Sequence, residues 1–148
     1  MTSIIFRGDY LATGRDCFIS FYNRLKKCYD NESSTSITEE EKIVVTYEPF
    51  WAHYKQELGH YFRYLYRMFK YLNESFVDEE QKKLYASIIR AQLSDMETAL
   101  LFYNCLSAQG HQKFKPLVEK YCLFDNLPHE LLFNTGHIEL YNESAFQT

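Results

Sequence analysis

Residues 58–73 read LGHYFRYLYRMFKYLN, and this stretch decides the fold class. Together with Trp51 and Tyr54 just ahead of it, Leu58, Tyr61, Leu65, Met68 and Leu72 recur at spacings of three and four. Phe62 and Phe69 widen that seam into a stripe broad enough to face a core, which is the pattern of an amphipathic helix. The rest of the chain agrees. Its 148 residues suit one domain, and thirteen Tyr and twelve Phe stand against five Gly and three Pro. That composition is too apolar for disorder and too poor in turn formers for a β fold. The expectation is an all-α, single-domain, compact bundle of about five to seven helices.

Working outward, a first helix should start near Gly14–Asp16 and run to Tyr29. Phe18, Phe21, Tyr22, Leu25 and Tyr29 share its inner face, with Lys26 and Lys27 in its last turn. A polar loop over Asp30–Ser36 follows. Thr38 with Glu41 forms a capping box that opens a second helix, and Pro49 should end or kink it. Another helix begins at Asp78–Gln81 and presents Leu84, Tyr85, Ile88 and Ile89 as its apolar face. Short helices are expected over Phe114–Leu123 and Pro128–Phe133. The division is therefore a lead-in over 1–13, a helical domain over 14–133 and a peripheral tail over 134–148.

Residues 85–104, YASIIRAQLSDMETALLFYN, set polar residues inside an apolar helical pattern. One continuous helix over Lys83–Leu106 would put Gln92 and Asp95 in the apolar line. Burying the amide alone without partners costs about 2–7 kcal/mol. A break at Leu93–Ser94 avoids that cost, and Ser94 with Glu97 then caps a new helix that Gly110 closes.

The net charge of −4 gives no overall bias toward nucleic acid. Cys17, Cys28, Cys105 and Cys122 lack Cys-x-x-Cys spacing and read as reduced thiols of a cytoplasmic protein. No signal peptide pattern and no apolar run of eighteen residues occurs, so no membrane span is expected. Three Asn-Glu-Ser triplets read as loop and helix-stop signals.

Two constellations invite a functional reading. His53, Glu57 and His60 fall near one helix face beside Arg63 and Arg67. Two imidazoles and a carboxylate could ligate a metal, but the adjacent arginines oppose a cation and no second Glu-x-x-His pair exists. A solvated polar face outweighs both a metal and an anion site there. Arg90, Gln92, Ser94 and Glu97 divide between capping with an internal ion pair and an anion pocket at a helix start. Nuclease chemistry finds little support. No arginine is followed by a histidine four to six residues later, as small helical ribonucleases of the HEPN type require, and paired acidic clusters and phosphate-binding glycine loops are missing.

Gly14-Arg15-Asp16-Cys17-Phe18 resembles the Gly-Arg-x-x-Phe opening of the phage abortive infection proteins of bacteria. Leu58 through Tyr66 is similar to that family's Leu-Gly-His-Tyr-Phe-Arg-x-Leu-Tyr block. Tyr85 through Asn104 resembles its Tyr-x-x-Ile-x-Arg-Ala-Gln-Leu-Ser-x-x-Glu block, ending in Phe-Tyr-Asn. The resemblance spans roughly residues 14–127 and implies a bacterial, intracellular role in defence against phage. It brings no catalytic mechanism with it. The expected role is a non-enzymatic sensor or interaction module that binds a phage or host protein and uses no cofactor and no metal. One alternative is an enzyme acting on RNA or a nucleotide around His60, Arg63 and Arg90. Another is a homo-oligomeric module, favoured by the aromatic surplus. Nucleic acid is not the favoured partner. The candidate ligand or partner residues are His60, Arg63, Arg90, Gln92, Ser94, Glu97 and Asn104.

Overall fold

The computed structural model describes residues 3–6, 10–13 and 16–147, so Gly14 and Arg15 of the opening motif lie outside the described residues. Five α-helices form the body: α1 (Asp16–Asn31), α2 (Glu39–Glu74), α3 (Glu79–Ala91), α4 (Asp95–Leu106) and α5 (Lys115–Lys120). The body is all-α, as its periodicity dictates. Ahead of it, β1 (Ser3–Phe6) and β2 (Tyr10–Thr13) pair antiparallel with Ser3 opposite Thr13. The lead-in thus carries a hairpin, and its Ile and aromatic residues suit paired strands.

α4 is the central helix. Every residue from Glu97 to Cys105 is buried, so it has no solvent face, and α1 and α2 pack against it. α1 contributes Cys17, Phe21, Tyr22, Leu25 and Tyr29 to the core, the face that the sequence assigns it. It runs two residues past Tyr29, which moves Lys26 out of the last turn and into a 2.7 Å pair with Asp30.

α2 is the long element, 36 residues and therefore about 54 Å. The Thr38–Glu41 capping box starts it, with Glu41 N–H donating to Thr38 Oγ1 at 3.2 Å. Pro49, expected to end or kink the helix, does not end it. The ring lies on the exposed side, where the Val45 carbonyl that loses its donor also faces solvent. On the opposite side Tyr47, Phe50 and Tyr54 are buried and carry the helix through. The buried stripe follows Leu58, Phe62, Leu65, Phe69 and Leu72, while Trp51, Tyr61 and Met68 flank it half-buried. A straight helix drifts off a strict heptad, and the centre of the stripe drifts accordingly.

The break between α3 and α4 falls at the expected place. Asp78 caps α3 through Gln81 N–H at 2.9 Å, and Ser94 with Glu97 forms the second capping box. The buried face of α3 is rotated from the expected one, so that of the four apolar residues assigned to it Ile89 alone packs on the core. Lys82 and Ala86 are buried, whereas Leu84, Tyr85 and Ile88 are exposed. Lys82 turns inward because its ammonium donates to the Asn73 carbonyl and to Glu79, closing the α2–α3 turn.

Three further boundaries shift. α4 stops at Leu106, where Ser107 caps it by donating to the Asn104 carbonyl, and Gly110 serves a packing role after the stop. α5 is only six residues long, and after Pro128 a single 3-10 turn (His129–Leu131) replaces the expected helix. The segment from Asn134, expected to be peripheral, packs into the body. His137, Tyr141 and Ala145 are buried, and the Tyr141 hydroxyl donates to the Phe102 carbonyl of α4. α4 needs this cover, because it is buried on every side and α1 and α2 pack on only part of it.

Candidate functional site

The residues singled out from sequence do not form one site. The structure distributes them over three places along the α2–α4 layer.

Glu97, Ser94 and Gln92 lie at the α3–α4 junction. The Glu97 carboxylate accepts from Ser94 N–H at 2.7 Å and from the Tyr61 hydroxyl at 3.1 Å. Glu97 therefore closes the cap and ties α4 to α2. Burial, then the Glu97 charge, pushes the Tyr61 phenol well above its ordinary range. Gln92 and Glu97 border a groove of about 340 Å³ between α2 and α3, together with Tyr64, Met68 and Ile88.

Arg90 points elsewhere. Its guanidinium donates to the Cys122 carbonyl at 2.8 Å and lies 3.7 Å from the Asp125 carboxylate. Cys122 has φ 53°, a left-handed conformation uncommon for a residue with a side chain. Arg90 and the Cys122 Sγ–H donation to Gln147 O at 3.1 Å hold that turn from two sides. The expected internal pair exists, with Asp125 rather than Glu97 as its acid.

Arg63 and Asn104 meet at a third place. They line a cavity of about 310 Å³ with Trp51, Tyr66, Gln109 and Lys113. Asn104 is buried, and its amide nitrogen donates to the Tyr47 hydroxyl at 2.6 Å. Gly110 packs flush behind it. A Cβ there would stand 2.9 Å from the Asn104 carbonyl oxygen and 2.9 Å from Cys105 Cα. Gly59 stands beside the benzo ring of Trp51, where a Cβ would sit 3.6 Å from it. Arg63 and Lys113 are exposed, and neither has an ion-pair partner among the described residues.

His60 is exposed on α2, as are His53 and Glu57. Among the described residues, no three His, Cys, Asp or Glu side chains stand together in a way that could hold a metal ion. The largest of these cavities, about 610 Å³, lies between the start of α2 and the end of α4. Val44, Val45, Leu106 and Leu140 line it beside Glu40, Glu41 and His111, and it takes in none of the residues picked out from sequence.

Sequence reasoning missed two groups. Trp51 and Lys113 belong to the Arg63 cavity, but Trp51 reads as seam and Lys113 sits in a turn without periodicity. The other group is a polar cluster in which buried Tyr29, Tyr103 and His137 meet a half-exposed Glu39. His137 Nε2 lies 2.8 Å from Glu39, its Nδ1 lies 3.0 Å from the Tyr103 hydroxyl, and the Tyr29 hydroxyl donates to Glu39 at 2.5 Å. Those hydrogen bonds, from Tyr29 first and His137 next, lower the Glu39 carboxyl below its ordinary value. The cluster joins α1, α2 and α4 to the C-terminal segment. No local signal marks residues this far apart in sequence. Cys105 is fully buried, and burial raises its thiol far out of the reactive range.

An apolar surface runs along the α2–α3 hairpin. Tyr64 (62% exposed) and Tyr71 (80%) on α2 share that side with Leu84 (58%) and Ile88 (53%) on α3. Phe76 in the connecting turn is fully exposed. Glu74 stands beside Tyr71 and Phe76, while Arg67 on α2 and Lys83 on α3 have no ion-pair partner among the described residues.

Residues 53–132 match the family model described as "putative phage abortive infection protein". The match covers more than half of the chain, and the chain belongs to that family. Neither the curated proteins nor the solved structures hold a match to it. No helix among the described residues is long and apolar enough to cross a membrane.

Proposed function

We propose that this member of the phage abortive infection family acts as a sensor or interaction module, and that it engages a phage or host protein through the exposed face of the α2–α3 hairpin. The observation that carries this reading is that face itself. Four large apolar side chains on two adjacent helices, with Phe76 at the turn, stand more than half exposed to solvent. Contiguous exposed apolar surface of this kind marks an interaction site. Its partner is a phage or host protein segment that presents an apolar stripe to this face, because the side chains it would cover are aromatic and aliphatic.

The test is phage plating on cells that express the Tyr64→Glu/Ile88→Glu double variant. Both side chains are more than half exposed, so the variant should melt within about 2 °C of the parent and lose protection. Full protection by a folded double variant would overturn the proposal. Sedimentation of the parent as a dimer, and of the variant as a monomer, would move the same face to self-association.

A further inference from the structure

We propose that the cavity between α2, the end of α4 and the turn before α5 binds a nucleotide through one phosphate and its base. The site stands apart from the α2–α3 face and does not rest on the partner reading.

Its charge is the first argument. Arg63 and Lys113 both line a cavity of about 310 Å³, and no carboxylate lines it. The chain has twenty acidic residues against sixteen basic ones, so an uncompensated pair of cations is against its overall balance. Two like charges at one cavity repel, and an anion seated between them removes that repulsion. Arginine is suited to grip phosphate oxygens in bidentate fashion, and lysine adds a point charge.

The walls give the second argument. Trp51 stacks on Tyr47 at 6.1 Å and 19°, which fixes its indole, and Gly59 stands beside the benzo ring in ordinary van der Waals range. Tyr66 packs on Phe114 at 5.7 Å, which fixes the other aromatic ring of the cavity. Flat aromatic walls accept a base by stacking without demanding a particular one. Gln109 is exposed and adds an amide able to pair with a base edge, above a floor formed by Asn104, which Tyr47 and the close approach of Gly110 hold in place. The volume lies at the low end of small-molecule sites, which admits one nucleotide unit. Arg63 and Tyr66 come from the 58–66 block and Asn104 ends the 85–104 block, so both sequence blocks singled out at the start converge here.

The same chemistry is offered by a free nucleoside monophosphate and by the 5′-phosphorylated end of an RNA strand. Trp51 is the single tryptophan of the chain, so its fluorescence reports on this cavity directly. The intact protein is titrated with AMP, GMP, CMP and UMP, with adenosine, with inorganic phosphate and with a 5′-phosphorylated tetranucleotide. The expected result is saturable quenching by at least one monophosphate or by the tetranucleotide, with adenosine and inorganic phosphate each weaker by about tenfold or more. A response to the tetranucleotide alone assigns the site to strand ends, and a response to monophosphates alone assigns it to free nucleotide. Arg63→Ala/Lys113→Ala should weaken binding by at least about tenfold while melting like the parent, since both side chains are exposed. Lys55→Ala, an exposed lysine outside the cavity, should change nothing. The absence of saturable quenching by every nucleotide, or equal binding by the double variant, would overturn the assignment.

Discussion

Arg90 donates to the Cys122 carbonyl and lies beside an Asp125 carboxylate that is partly open to solvent. Removing the guanidinium frees Asp125 to rehydrate, so the loss falls mainly on the Cys122 carbonyl and its left-handed turn. Arg90→Ala should lower stability by about 1–3 kcal/mol, less than for a fully buried ion pair, as read by urea denaturation. Glu39 makes a pH-dependent contribution. Its folded pKa is lowered by Tyr29 and His137 from an ordinary value of 4.5. The unfolded chain therefore takes up that proton more readily, so the contribution is complete above the ordinary value and disappears as pH falls through the lowered one. Thermal melts between pH 6 and pH 3 should show a shallower acid loss for Glu39→Gln than for the parent. Equal slopes would place the acid sensitivity elsewhere. At Gly110 the backbone has no room for a methyl group against Asn104 and Cys105, so Gly110→Ala should cost about 1–3 kcal/mol by the same denaturation assay.

At the level of elements, α2 crosses Pro49 without stopping because its buried side keeps packing while the lost hydrogen bond faces water. Pro49→Ala restores a donor to the Val45 carbonyl and should raise stability by about 1–2 kcal/mol, the gain being reduced by a freer unfolded chain. An unchanged or lower melting temperature would mean that the proline is stabilising where it stands. The capping boxes at Thr38 and Ser94, the break before α4 and the α1 core face were legible in sequence because each depends on residues three or four apart. The orientation of α3 was not. Periodicity gives an apolar side but cannot say whether a neighbour covers it, and here Lys82 and Ala86 turn inward while Leu84 and Ile88 do not. The tail was misjudged for a related reason. Its anchors, His137 on Glu39 and Tyr141 on α4, are long-range contacts with no local pattern. Of the candidate residues, Ser94 and Glu97 close a cap as their spacing implies. Arg63 and Asn104 converge across 41 positions, and only the fold could bring them together.

For the whole molecule, a helical body built round the buried α4 leaves the α2–α3 hairpin with an apolar side that nothing among the described residues covers. Carrying those side chains in solvent favours association, which is the physical ground for reading the surface as an interaction site. The nucleotide cavity opens on the other flank of α2, across the exposed Arg63 and Arg67, so the two features can be altered separately. The central claim is that protection against phage runs through the hairpin face. The most direct measurement is the plating efficiency of a sensitive phage on cells expressing either the parent or Tyr64→Glu/Ile88→Glu, with both proteins confirmed folded by thermal melting. The account predicts that the double variant plates phage as efficiently as cells without the protein. Protection equal to the parent's, from a variant with the parent's melting temperature, would contradict it.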